Sequence, residues 1–407
     1  MNVDVARLKK HIAFLSNECP HRHTGEPDEQ KAAEYIAEQM RLLGLKVEII
    51  EVPVMGWRVE SLPRLQILEP EMLEVKEVAP AIYSGSTPDE GIEGELVYCG
   101  QTRIISADYW EKFAIRNRNG NTVGFLLGRP DGPCIMQPAP FGLDDGTITW
   151  VTCTVGKDDY VKFKKWLEAG KKIRVKYTCQ TSFWPGLRCS MVKGTLVGNK
   201  QPEQRILTSA HHDCQGALGC PEFADSRGAN DNASGCAGVL EIARHCVGVG
   251  TPRTIDFVTF GGEERNLIMS RDYTRRLKEG GELPNFIAQI NLDNVAYGQA
   301  INLFVTSREY EMQPKIGLDE IVRTVVAEKE IMSKYVVSVV TPPRGGFDYW
   351  PFFLEGKPIV GLCTRPFAEY HRGSDRYPDT IRDDLLLTTV DCAGDIVHKL
   401  TRLPLAL

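Results

Sequence analysis

Between residues 205 and 264 three apolar segments each end on side chains that bind metals or move protons. RILTSA (205–210) runs into His211, His212 and Asp213. GANDNASG (228–235) carries Asp231 into the start of a helical pattern, and TIDFVTFGG (254–262) stops at Glu263 and Glu264. Apolar runs with little alternation are the mark of strands buried on both faces. In open α/β sheets the functional residues gather at the carboxyl ends of such strands. A chain built this way has little choice but a helix-covered sheet with its chemistry along one edge.

The rest of the chain agrees with that expectation. Helical and strand patterns alternate after residue 186: helices near 234–246, 270–278, 318–329 and 383–400, and strands near 254–260, 286–292, 335–340 and 358–363. This predicts an α/β fold, a mostly parallel or mixed central sheet flanked by helices. A helix over 27–43, closed by Gly44, and an alternating strand KVEIIEVPV (46–54) open it. From about residue 71 to 185 the texture changes to short strands among Gly, Pro and Asp turns, with short helices expected near 107–116 and 158–168. The expected organisation is a catalytic domain of residues 1–70 and 186–407, interrupted by a small β-rich domain at 71–185. At 407 residues, two domains are the natural division.

Charge and composition narrow the partners. A formal net charge of −6 offers no basic face for nucleic acid or an anionic membrane. No segment reaches the ~20 apolar residues of a membrane span. The opening MNVDVARLKKHIAFLSNECP reads as an amphipathic helix rather than a signal peptide, and the 12 cysteines include no CxxC pair. A cytoplasmic protein with reduced, buried thiols is expected. Cys214 and Cys220 flank the site loop, and His21 and His23 sit in the PHRHTG loop (20–25); plain packing or loop roles outweigh metal binding for all four.

The chemistry follows from the donors collected at segment ends: His211, Asp231, Glu264, Asp293 and, late in the chain, His371. Two imidazoles and three carboxylates suit Zn²⁺, and also Co²⁺ or Mn²⁺. Five donors exceed one tetrahedral site that keeps a water, but match two metals about 3.5–4 Å apart that share a carboxylate. Asp231 is central enough to bridge, with a helix N-cap as its competing role. Alternate residues of a strand share a face, so His211 and Asp213 point together. That favours His211 as ligand, Asp213 as its orienting partner and His212 as structural. Of the adjacent pair Glu263 and Glu264, one can bind metal while the other acts as general base.

AHHD (210–213), GANDNASG (228–235), FGGEE (260–264), NLD (291–293) and YH (370–371), in this order, resemble metallopeptidase family twenty-eight, the co-catalytic zinc aminopeptidases. The likeness covers nearly the whole chain. PAIYSGS (80–86) and GIEGELVY (91–98) look like the protease-associated domain that some members carry. The resemblance implies two zinc ions, one held by His211, Asp231 and Asp293, the other by Asp231, Glu264 and His371, with Glu263 as general base. It departs at NLIMS (266–270), where the family usually has a glycine-rich turn. GGFDYWPF (345–352) is similar to a cleft-lining segment, so Asp348 and Tyr349 are candidates for substrate contact or for simple packing; Asp375 is a candidate partner of His371.

The expected activity is therefore metal-assisted hydrolysis of an amide in a peptide or small substrate, most simply by an aminopeptidase, with homo-oligomer formation open. A carboxypeptidase or dipeptidase of the same family is the nearest alternative and needs a cation at the cleft, for which Arg344 and Arg372 are available. A binding module that has kept the fold without catalysis is the alternative from another class.

Overall fold

The computed structural model describes residues 1–103, 109–138, 150–216, 218, 225–307, 309–310 and 312–404. Its strands are β1 (Lys46–Val59), β2 (Arg64–Glu69), β3 (Leu73–Val75), β4 (Val78–Pro80), β5 (Ile92–Arg103), β6 (Tyr109–Arg116), β7 (Thr122–Gly128) and β8 (Thr152–Val155). After them come β9 (Arg174–Thr178), β10 (Thr181–Leu196), β11 (Gln201–His211), β12 (Arg253–Phe260), β13 (Phe286–Leu292), β14 (Ala300–Val305), β15 (Val336–Val340) and β16 (Ile359–Arg365). The α-helices are α1 (Val5–Ala13), α2 (Pro27–Leu42), α3 (Lys157–Glu168), α4 (Ser234–Val249), α5 (Ile268–Glu279), α6 (Leu318–Glu328), α7 (Trp350–Leu354) and α8 (Asp383–Thr401).

Two eight-stranded sheets result. The first runs β1-β10-β12-β11-β13-β16-β14-β15. Its centre, β12-β11-β13-β16, is parallel, while β1, β10 and β14 pair antiparallel, which makes the sheet mixed. Every residue of β12 and β13 is buried. The period of two explains how both faces are covered. Ile255 and Phe257 of β12 join the core under α1, α2, α4 and α8, whereas Val258 and Phe260 join the core under α5 and α7. Each such side chain contributes on the order of 2 kcal/mol by leaving water.

Local signals set the helices. Pro27 occupies the first turn of α2 with Asp28 and Glu29 beside it, and the chain leaves the helix at Gly44 with φ +80°. Ala32, Ala33, Ile36, Ala37 and Met40 form its buried stripe.

The second sheet, β3-β2-β9-β5-β6-β7-β8-β4, is antiparallel except for β7 against β8. It has its own core, including Trp57, Leu65, Ile67, Phe113, Leu126 and Phe163 of α3. The β1–β10 ribbon, from Lys46↔Thr195 to Val59↔Thr181, leads from the first sheet to the second.

One local expectation needs correction. Residues 109–116 are not helical but form β6, hydrogen-bonded between β5 and β7. Trp110, Phe113 and Ala114 fit a helical stripe, while Phe113 and Ile115 share one face of a strand and Trp110 and Ala114 the other, and two partner strands decide the matter; Ala107 lies outside the described residues. β14 is not anticipated from the sequence at all, and its antiparallel pairing to β16 turns the far side of the sheet.

Candidate metal centre

The carboxyl ends of β11, β12 and β13 lie side by side, and each delivers its final residues to one place. His211 ends β11; its Nε2 lies 3.2 Å from Asp231 Oδ1, 3.6 Å from Asp293 Oδ1 and 4.0 Å from Glu263 Oε2. His371 enters from the loop after β16, with Nε2 3.0 Å from Glu264 Oε2 and 3.6 Å from Asp231 Oδ2. Asp231 thus presents one carboxylate oxygen to each histidine.

Asp231 precedes α4 in a non-helical conformation, φ −111° and ψ 86°, so its carboxylate faces the histidines rather than capping the helix. The turn is held from outside: Asp375 accepts the backbone N–H groups of Asn230 and Asp231 at 2.9 and 3.0 Å and the Thr380 hydroxyl at 2.6 Å. Asp375 therefore orients the turn that carries Asp231, and among the described residues no hydrogen bond joins it to His371. The partner of His371 is instead the carbonyl of Met136, 3.2 Å from Nδ1, in a loop of the second sheet.

His211 Nδ1 lies 3.2 Å from the Asp213 carbonyl and 3.4 Å from its carboxylate, which in turn accepts from Thr24 Oγ1 at 2.8 Å. His212 points the other way, into a buried pair with Glu29 at 2.7 Å. Gln215, which no sequence motif singles out, donates to Glu264 Oε2 at 2.7 Å and lies 3.3 Å from His371 Nδ1.

Several elements stay out of this cluster. Among the described cysteines, Cys214 is a buried thiol, and Cys220 lies outside the described residues. His23 is buried without a hydrogen-bond partner, and burial pushes its imidazole down to about 3; His21 lies 3.7 Å from Asp225. Asp348 is buried near the carboxylates, where burial pushes it up to about 7; Tyr349 is buried and donates to the Arg344 carbonyl at 2.6 Å. Arg372 is turned to the Cys134 carbonyl and Glu77.

The electrostatics ask for cations. Burial and the neighbouring carboxylates of Asp293, Glu264 and Asp348 push Glu263 well above the usual range despite His211. Burial opposes charge on His211, yet Asp293 and Glu263 outweigh it and raise the imidazole. Two donor triads, His211–Asp231–Glu264 and His211–Glu263–Asp293, each place their ligand atoms within 4.8 Å of one another. His211 Nε2, Asp231 Oδ2 and Glu264 Oε1 are buried with no hydrogen-bond partner. Lone pairs gathered and left unpaired in this way fit divalent ions of the zinc class.

Known proteins agree with the fold. Residues 192–397 match the pattern described as Peptidase family M28. Aminopeptidase YwaD of Bacillus subtilis is 26% identical over 327 residues, covering 73% of this chain and 63% of that protein. A probable zinc metalloprotease of Pyrenophora teres f. teres is 35% identical over 109 residues, so the chain spans only 23% of that relative's length. Among solved structures, an aminopeptidase from Aneurinibacillus sp. strain AM-1 superposes with a TM-score of 0.69 at 22% identity, covering 98% of this chain and 94% of that one. A peptidase M28 precursor from Shewanella amazonensis gives 0.72 at 16% identity, with 99% and 94% covered. Because the family pattern takes in just over half of its residues, the chain belongs to peptidase family M28.

Proposed function

We propose that the chain is a two-zinc aminopeptidase that hydrolyses amide bonds of peptides. The observation that carries this reading is Asp231, whose two oxygens address the two histidines separately and so join two donor sets through one carboxylate. His211, Asp231 and Asp293 would hold one ion, and Asp231, Glu264 and His371 the other. Bound there, divalent ions supply Lewis-acid chemistry, polarising the scissile carbonyl and acidifying water.

The chain's own residues do the rest. Asp213 fixes the His211 ring so that Nε2 faces inward. Gln215 and the Met136 carbonyl do the same for Glu264 and His371. Glu263, with Oε2 at 4.0 Å from His211 and a side chain 13% exposed, is the carboxylate that stays in reach of water. It accepts the proton of the attacking water and hands it to the departing nitrogen. The homologues' printed names, aminopeptidase and zinc metalloprotease, support the substrate class.

The test is a panel of free and amino-blocked dipeptides and aminoacyl anilides, assayed with added zinc, cobalt or manganese and with a chelator. Chelator-sensitive cleavage that requires a free amino group is expected. Cleavage of blocked substrates alone would replace the reading with a carboxypeptidase, and a protein that holds no metal would leave a binding module.

A further inference from the structure

Resting on that reading, we infer that Arg365 and Arg129 form a carboxylate-binding subsite beside the metal centre, so that the preferred substrates carry an anionic group next to the scissile amide. Arg365 is the last residue of β16, and its guanidinium lies 5.3 Å from the centre of the Tyr370 ring. Tyr370 stacks on the His371 ring at 3.7 Å, so one aromatic side chain separates this cation from a metal-facing imidazole. Tyr370 also packs on Trp110 of β6, Leu127 of β7 and Ile135 of the loop that follows β7. Arg129 follows β7 in that sheet; its side chain is 13% exposed, donates to the Pro133 carbonyl at 3.0 Å, and lies 3.8 Å from Asp131, which faces solvent.

The bland role for Arg365 is counter-ion to the nearby Asp231 and Asp293. A guanidinium serving that role would dock on a carboxylate in a forked hydrogen bond. This one does not: among the described residues Arg365 forms no ion pair, and its close polar neighbour is the Cys363 thiol. Its side chain is partly buried, and among the described residues its guanidinium makes no hydrogen bond to a carboxylate or a carbonyl. Burial disfavours the charge on Arg129, and the nearby Arg365 adds to that, a cost that an anionic ligand would relieve. Arg344 and Arg372, the cations that sequence points to, do not fill this place: the first is exposed and the second is held by Glu77 and a carbonyl.

The carboxylate has two sources, an acidic side chain or a free terminal carboxylate. Matched substrates separate them: glutamyl against glutaminyl anilide for the side chain, and a dipeptide against its amide for the terminus. In the zinc-loaded wild type the anionic member of one pair is expected to have a kcat/KM roughly tenfold higher or more, expressed in KM, as befits a charge-assisted contact. Arg365→Gln should bring that ratio towards one, and Arg129→Gln should lower it in part; a ratio cancels any general loss of activity. The same pairing read by calorimetry, glutamate against glutamine and leucine against leucine amide, reports binding even if no amide is turned over. No preference for the anion in either readout, or a preference untouched in R365Q, overturns the subsite. Hydrolysis lost across all substrates while the binding preference persists would instead remove the aminopeptidase reading and leave the subsite standing. Zinc content that falls in R365Q while the preference ratio stays fixed would assign Arg365 to the counter-ion role.

Discussion

Asp375 holds the backbone of Asp231 and not its side chain: its oxygens accept the N–H groups of Asn230 and Asp231 at 2.9 and 3.0 Å. The carboxylate proposed to bridge two ions is therefore aimed by a residue 144 positions away in sequence.

Asp375→Ala should lower zinc affinity roughly 10- to 100-fold, the cost typical of losing a group that orients a ligand. Competition with a calibrated chelator measures it, with circular dichroism to confirm folding. Wild-type affinity in a folded D375A protein would mean that Asp231 needs no external support.

Glu263→Gln should keep its metal and lose turnover by about 10²- to 10⁴-fold, because an amide cannot accept the proton. Metal analysis beside a rate assay separates the two. Retained turnover would move the base elsewhere.

Arg22 is fully buried and gives every one of its hydrogen bonds to backbone carbonyls: Leu15, Cys19, His212, Arg227 and Gly228. It ties the N-terminal segment to the residues that follow His211 and precede Asp231. Arg22→Met keeps much of the bulk but strands those carbonyls, and should cost roughly 3–5 kcal/mol in chemical denaturation with chelator present. A loss under about 1 kcal/mol would show that water replaces the guanidinium freely.

His11 lies on the buried face of α1 beside the Tyr35 hydroxyl, and burial pushes its imidazole down to about 4. The folded state thus takes up its proton later than the unfolded chain, whose value is 6.5. Stability should fall as pH drops through 6.5 towards 4, by about 1.4 kcal/mol per unit at most, or about 2 kcal/mol by pH 5. Comparing wild type with His11→Gln between pH 7 and 5 isolates the effect. Parallel curves would show that His11 is protonated at no cost.

Legibility in the sequence followed the range of the interaction. His211, Glu264 and Asp293 stand at or just past the ends of apolar runs, so strand geometry brings them to one edge, whereas Asp231 is readable only as the start of the helical pattern that follows it. The face shared by His211 and Asp213 was readable from a period of two, and His212 does turn away to Glu29. Gln215 was not, because its partners are 49 and 156 residues distant and it sits in no patterned element. For Asp375 the spacing suggests His371 as partner, while the fold delivers the turn before α4. β6 reads as a helix in the sequence because Trp110, Phe113 and Ala114 recur at helical spacing, and only its pairing with β5 and β7 makes it a strand. The carbonyl of Met136 carries no side-chain signal of any kind.

That carbonyl has a consequence for how the chain can be cut. The two sheets have separate cores, which invites treating the second as an accessory that a minimal enzyme could shed. Yet the His371 ring is steered by an oxygen from the accessory side, 235 residues away, and its stacked neighbour Tyr370 rests on that side as well. A shortened chain would keep the five proposed donors and lose the wall that steers His371, so the proposed site draws on both halves.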